Sequence, residues 1–157
     1  MNTNHAKPHG KPRGTRQERG SVMVEIAFIS LLFLAMLIGI VDIGQFLFIH
    51  QTLTERARAA VRYGIVNNPS DSTSIQNVVL YGQASGGSVP DNPSGTDRGI
   101  FNVQRSSVTV SAPGAATDDY RLTVQITNYP YTMYSPFIAG SYTGPNILAS
   151  LPLGINY

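Results

Sequence analysis

Residues 26–49 read IAFISLLFLAMLIGIVDIGQFLFI, and this run decides the fold. From Ile26 to Val41 the only polar side chain is Ser30; Asp42 and Gln45 interrupt, and Phe46, Leu47, Phe48 and Ile49 close the run. As a helix it extends roughly 36 Å, enough for a hydrocarbon core of about 30 Å. A secretory signal has an apolar region of only about 7–15 residues, followed by a small-residue cleavage site. This run is too long, and the nearest Ala-x-Ala, Ala57-Arg58-Ala59, lies in a polar, helix-forming stretch. The run therefore predicts a transmembrane helix over about 26–49. Five basic residues precede it (Lys7, Lys11, Arg13, Arg16, Arg19) and three follow closely (Arg56, Arg58, Arg62), which favours the N-terminus inside.

The helix is predicted to continue beyond the membrane. Gln51 to Tyr63 contains neither Pro nor Gly and is rich in helix formers. Leu53, Ala57, Ala60 and Gly64 fall at i, i+4, i+7 and i+11 on one face, and Glu55 and Arg58 form an i, i+3 pair on another. Asn67-Asn68-Pro69 is the break. One helix over 21–66 results, membrane-grade in its first half and amphipathic in its second.

Composition narrows the function classes. Charged residues are 13% of the 157, about half the roughly 25% of a soluble domain, so either part of the chain does not face water or a polar uncharged surface does the solvating. The absence of Cys excludes a disulfide framework, a Cys-based zinc site and a thiol nucleophile. His5, His9 and His50 are too scattered for a metal cluster. The basic surplus is confined to the Pro/Gly/His-rich head, five basic residues against one acid before Gly20; from Ser21 onward acids outnumber bases eight to six. A folded nucleic-acid surface is not expected from such a distribution.

The entry to the apolar run reads Arg19-Gly20-Ser21-Val22-Met23-Val24-Glu25. Acids inside a membrane carry a cost and usually have a function or a partner. Cleavage after Gly20 would make Ser21 a positively charged N-terminus and Glu25 the fifth mature residue. Glu25 would then be able to meet the N-terminal ammonium of a neighbouring subunit, each charge neutralising the other. This arrangement resembles class III prepilin-like signals. Residues 19–64 resemble the TadE-like pseudopilin family of tight-adherence pilus systems on three stretches: Arg19-Gly20 to Glu25; Gly39-Ile40-Val41-Asp42-Ile43-Gly44-Gln45; and Leu53 to Tyr63, with its Ala/Arg-rich ending in Arg62-Tyr63.

The resemblance implies a minor pilin-like subunit acting in adhesion or secretion. It implies a single-pass protein of the bacterial inner membrane, with the N-terminus cytoplasmic and the C-terminal domain extracytoplasmic, and a pilus as a further location. A membrane prepilin peptidase would remove the leader at Gly20–Ser21. Other pilins, pseudopilins and assembly proteins, with membrane lipid, would be the partners, and no nucleic acid.

Read without the family, Glu25 is also a helix-start acid favoured by the macrodipole. Asp42 has two readings. It shares a face with Ala35 and Gly39, and small residues allow close helix packing, so Ala35/Gly39/Asp42 is a candidate helix–helix interface with Asp42 accepting hydrogen bonds from a partner. Alternatively, Asp42 reaches water at the outer interface. Glu25 lies roughly 100° round the helix from Asp42, so the two acids do not share a partner.

The outer part, 67–157, reads as a small α+β domain. Asp71 to Tyr81 predicts a short helix, with Thr73-x-x-Gln76 as a capping box and Ile75, Val78 and Val79 as its apolar stripe. Gly82 to Gly95 is a long loop whose neighbourhood holds Asp91 and Asp97 without calcium-loop spacing. Val108 to Val110 and Tyr120 to Tyr129 predict strands. The second alternates Tyr120, Leu122, Val124 and Ile126 against Arg121, Thr123, Gln125 and Thr127. Ile147 to Leu151 is a further strand candidate. The expected fold is α+β: one long N-terminal helix packed on a small antiparallel sheet.

After Arg121 there is no Asp, Glu, Lys or Arg, and the tail holds Tyr129, Tyr131, Tyr134, Tyr142 and Tyr157. Such a surface suits protein contacts, and a plain packed sheet with polar loops is equally compatible. No His lies near the Ser and Asp residues of the outer domain, and no phosphate-cradling loop ends in Lys. Neither an enzyme nor a cofactor is expected. The alternative to a pseudopilin is an uncleaved membrane tether presenting a small protein-binding domain.

Overall fold

A computed structural model describes residues 15–112, 120–136 and 138–153, with side chains from Gly20 onward. Most of the basic leader, the connection 113–119 and Tyr157 lie outside the described residues. The chain divides into two units, Met1–Ile38 and Gly39–Tyr157.

The described part of the first unit belongs to helix α1 (Thr15–Val66). Among the described residues the helix already includes Thr15 to Gly20, where Arg16, Gln17, Glu18 and Arg19 are all good helix formers. Leu31, Leu32, Phe33, Leu34 and Met36 are between 54% and 72% exposed. At about 100° per residue these side chains point all round the axis, so no single face is reserved for a protein core. Among the described residues α1 is the one helix long and apolar enough to cross a membrane, and only 6% of its most apolar window is buried.

The second unit is built on the remainder of α1. Ile49, Leu53, Ala57, Ala60 and Val61 are buried on one face, as the spacing predicts. Gly64 continues that face, and a Cβ there would come within 2.7 Å of Ile75 Cδ1 and closer still to Leu122. Glycine thus allows close approach where α1 meets both the following helix and the sheet, and a larger residue would have to displace the ends of those two side chains. The exposed Glu55–Arg58 pair forms at 3.1 Å, a geometry worth little in water. The helix stops at Val66, where the Asn67 backbone and side-chain N–H groups both donate to Tyr63 O at 3.0 Å.

Helix α2 (Ser72–Tyr81) is capped differently from the expected Thr73/Gln76 box. Asp71 is the N-cap, accepting from Ser74 N–H at 3.1 Å. Gln76 instead donates to Val108 O at 2.8 Å, fixing α2 to the first strand. Gly82 ends α2 at φ 81°, a left-handed conformation that suits glycine, and returns its N–H to Val78 O.

The strands are β1 (Val108–Ser111), β2 (Arg121–Ile126), β3 (Pro130–Met133), β4 (Gly140–Thr143) and β5 (Ile147–Pro152). A three-stranded antiparallel sheet has the order β1-β2-β5, with Val124 opposite both Val110 and Ala149. Leu122, Val124 and Ile126 are fully buried, as the alternation predicts, whereas Tyr120 lies before the strand and is 55% exposed. β3 and β4 form a separate antiparallel hairpin in register Met133↔Gly140, which the sequence reading did not anticipate.

The long loop between α2 and β1 is held by a buried arginine. Arg105 donates to Asn77 Oδ1 at 2.6 Å and Gln76 Oε1 at 3.4 Å, and its Nε lies 3.6 Å from Asp97 Oδ2. Asp97 also accepts from Ser94 N–H at 2.7 Å, so this acid serves the loop itself.

Two stability effects should separate. Hydrogen bonding to Ser74 lowers the Asp71 pKa. The carboxylate cap is therefore fully effective above the ordinary Asp value and is lost only as acid carries pH down through the lowered folded value. Asp71→Ala should cost about 1 kcal/mol near neutral pH, and the difference from the parent should vanish in strong acid. Arg105→Leu, which takes the buried guanidinium away from Asp97 and Asn77 Oδ1, should cost about 3 kcal/mol or more. Denaturant unfolding of the detergent-solubilised chain, followed by far-UV circular dichroism, measures both.

Candidate functional site

Two acids mark the functional stretch of α1, and the structure treats them oppositely. Gly20, Ser21 and Glu25 are all exposed. Glu25 has no hydrogen bond or ion pair among the described residues. The Gly20–Ser21 bond lies inside α1, with open space where a Gly20 side chain would be.

Asp42 is only 3% exposed. The Tyr134 N–H donates to both carboxylate oxygens at 3.0 Å, and the Ser135 N–H donates to Oδ2 at 2.6 Å. Within its own chain its partner is the loop that follows β3. One turn of α1 further on, Phe46 packs against Tyr131 with ring centroids 4.9 Å apart. A further turn on, His50 Nδ1 is 2.9 Å from the Tyr129 hydroxyl. Positions 42, 46 and 50 thus form an i, i+4, i+8 row that meets residues 134–135, 131 and 129 in turn, so the extended segment runs antiparallel to the helix. Eight residues of helix rise about 12 Å and five of strand about 16 Å, close enough for three successive contacts.

The same stretch gathers more aromatic contacts. Tyr131 stacks on Tyr142 at 5.7 Å, and Phe48 meets Phe101 edge-on at 5.9 Å. Phe101 has φ 52°, an uncommon conformation for a bulky residue and a local strain of about 1–3 kcal/mol. Burial raises the Tyr129 pKa above the usual phenol value, with Tyr131 adding to the shift.

Of the residues named from sequence, the structure commits Asp42 to an intrachain role. Ala35 is half-buried, and a Cβ on Gly39 would meet nothing within 4 Å. The uncharged tyrosines divide: Tyr129 is fully buried, Tyr131 half-buried, and Tyr134 and Tyr142 are exposed. The missed residues are Tyr134 and Ser135 as donors to Asp42, and His50 and Phe46 as companions. The four-residue spacing of Asp42, Phe46 and His50 was the available signal, but it does not name partners some 80 to 90 residues away.

A long, apolar, uncovered helix followed by a small α+β domain is the architecture of a chain anchored by a single membrane pass. Residues 20–62 match the family model described as TadE-like protein. The resemblance read from the sequence thus stands over residues 20–62. No curated protein and no solved structure matches the chain.

Tyr129→Phe tests the upper contact of the row. It removes the hydroxyl facing His50 and should cost about 1 kcal/mol. Because Tyr129 holds its proton more tightly when folded, the parent should lose stability as pH rises past the ordinary phenol value, and the variant should lose less. Unfolding midpoints measured from pH 8 to about 11 check the sign.

Proposed function

We propose that this chain is a minor pilin-like subunit of a tight-adherence type pilus, structural rather than catalytic, acting in adhesion or secretion. It is made with a basic cytoplasmic leader, inserts by α1 into the bacterial inner membrane and carries its α+β domain outside. A prepilin peptidase cuts between Gly20 and Ser21, and the mature subunit associates with other pilins and pseudopilins.

The observation that carries this reading is the TadE-like match, which begins at Gly20 and includes Glu25. The exposure of Glu25 supports it too. An acid at the threshold of an apolar helix, with no partner among the described residues, is available to the ammonium of a newly formed N-terminus on a neighbouring subunit. The helical state of the Gly20–Ser21 bond gives Gly20 a physical role. A peptidase must open the helix there, and glycine makes helix locally less stable by about 1 kcal/mol relative to alanine.

The N-terminal residue of the membrane-associated chain, in cells with and without the peptidase, tests the proposal. A chain beginning at Ser21 only when the peptidase is present is expected. A chain beginning at Met1 in both cases would refute processing and leave an uncleaved tether. Glu25→Ala should insert normally yet reduce recovery in pilus fractions about tenfold or more, as loss of one buried ion pair implies.

A further inference from the structure

The described residues of the loop 134–139, at the tip of the β3–β4 hairpin, have an unusual combination of properties. Their exposed side chains are apolar or aromatic: Tyr134 is 67% exposed and Ile138 50%, and Tyr142 beside them is 41% exposed. No Asp, Glu, Lys or Arg occurs in the sequence after Arg121, so no formally charged side chain belongs to the hairpin. Three backbone donors of the loop's described residues are also paired internally. The N–H groups of Tyr134 and Ser135 go to Asp42, Pro136 has none, and that of Ile138 goes to Ser135 O at 3.0 Å. The Ile138 carbonyl accepts from the Tyr142 hydroxyl at 2.8 Å. Water requires no such economy, whereas hydrocarbon penalises each unpaired backbone group.

The height of the loop follows from Asp42. About 20 helical residues cross a hydrocarbon core, so a span that starts at Ile26 ends near Gln45, and Asp42 lies roughly one turn inside that boundary. The hydrogen bonds to Asp42 hold Tyr134 and Ser135 at that level. Around them α1 exposes Ile43, Leu47 and Phe48, so the apolar surface of the hairpin continues that of the helix.

We propose that the tip of the β3–β4 hairpin is a lipid-contacting element. It rests at the outer boundary of the hydrocarbon, with Tyr134, Ile138 and Tyr142 against acyl chains and headgroups and Asp42 as its tether. Tyrosine is enriched at this depth because its ring is apolar and its hydroxyl remains wet. The proposal rests on reading α1 as a membrane span, and the experiment separates the two.

The natural chain has no Trp, so one introduced indole reports alone. The full chain is reconstituted in phosphatidylcholine vesicles whose acyl chains carry bromine both near the headgroup and near the bilayer centre, with Trp placed at Leu34→Trp in the span, Ile138→Trp at the tip, or Leu148→Trp on β5. All three positions are exposed, so the fold should tolerate them. Quenching at Leu34→Trp and Ile138→Trp should exceed that at Leu148→Trp by about twofold or more, as burial at the interface requires. Adding Asp42→Ala should lower quenching at Ile138→Trp to the Leu148→Trp level while leaving Leu34→Trp unchanged. If Leu34→Trp is quenched and Ile138→Trp is no more quenched than Leu148→Trp, the lipid-contact proposal is wrong and the span stands. An unquenched Leu34→Trp would overturn both. Full quenching at Ile138→Trp despite Asp42→Ala would overturn the tether.

Discussion

An aspartate inside an apolar helix must find partners, and here it finds them in the backbone of its own chain. Placing an acid at the centre of a membrane helix costs about 2.5–3.5 kcal/mol on insertion scales. Hydrogen bonds to a charged group contribute about 1.5–3 kcal/mol each, so the two N–H donors of Tyr134 and Ser135 are enough to offset it. The need is reciprocal. A loop of Tyr, Ser and Pro has little local reason to adopt one shape, and the carboxylate supplies one. The row Asp42, Phe46 and His50 then aligns the segment leading to the hairpin, and Tyr129, fully buried at its far end, joins the main core.

The two acids of α1 illustrate how a similar chemical problem leads to different consequences. Asp42 is closed off by its own chain, whereas Glu25 is exposed. A satisfied buried acid organises the fold that contains it. One exposed at the edge of an apolar segment, with no partner among the described residues, is open to a partner outside the chain. The Gly39 backbone, open on its outer side, is likewise unclaimed by intrachain packing.

Much of this fold was legible because periodicity is a local property. The apolar run, the Leu53/Ala57/Ala60/Gly64 face and the alternation of Leu122, Val124 and Ile126 each carry their own signature, and Ile147 to Leu151 pairs with β2 as strand-like residues should. The α2 cap moved to Asp71 because Gln76 had a better use bridging to β1. The β3–β4 hairpin was invisible for a deeper reason. Pro130, Gly140 and the short strands give weak propensity, and its order comes from aromatic and carboxylate contacts with a helix far away in sequence. Asp42 was flagged as important, yet its partner depended on that unseen hairpin.

The row of contacts from Asp42 to His50 also has a mechanical meaning. Over those eight residues the helix turns a little more than twice. It is engaged at each turn by a polar, then an aromatic, then a mixed contact, so the segment resembles a keyed shaft rather than a smooth rod in a sleeve. Rotation of the last turns of the apolar helix about its axis would have to break all three contacts at once. Torque applied there would therefore pass into the outer domain instead of being lost as slippage.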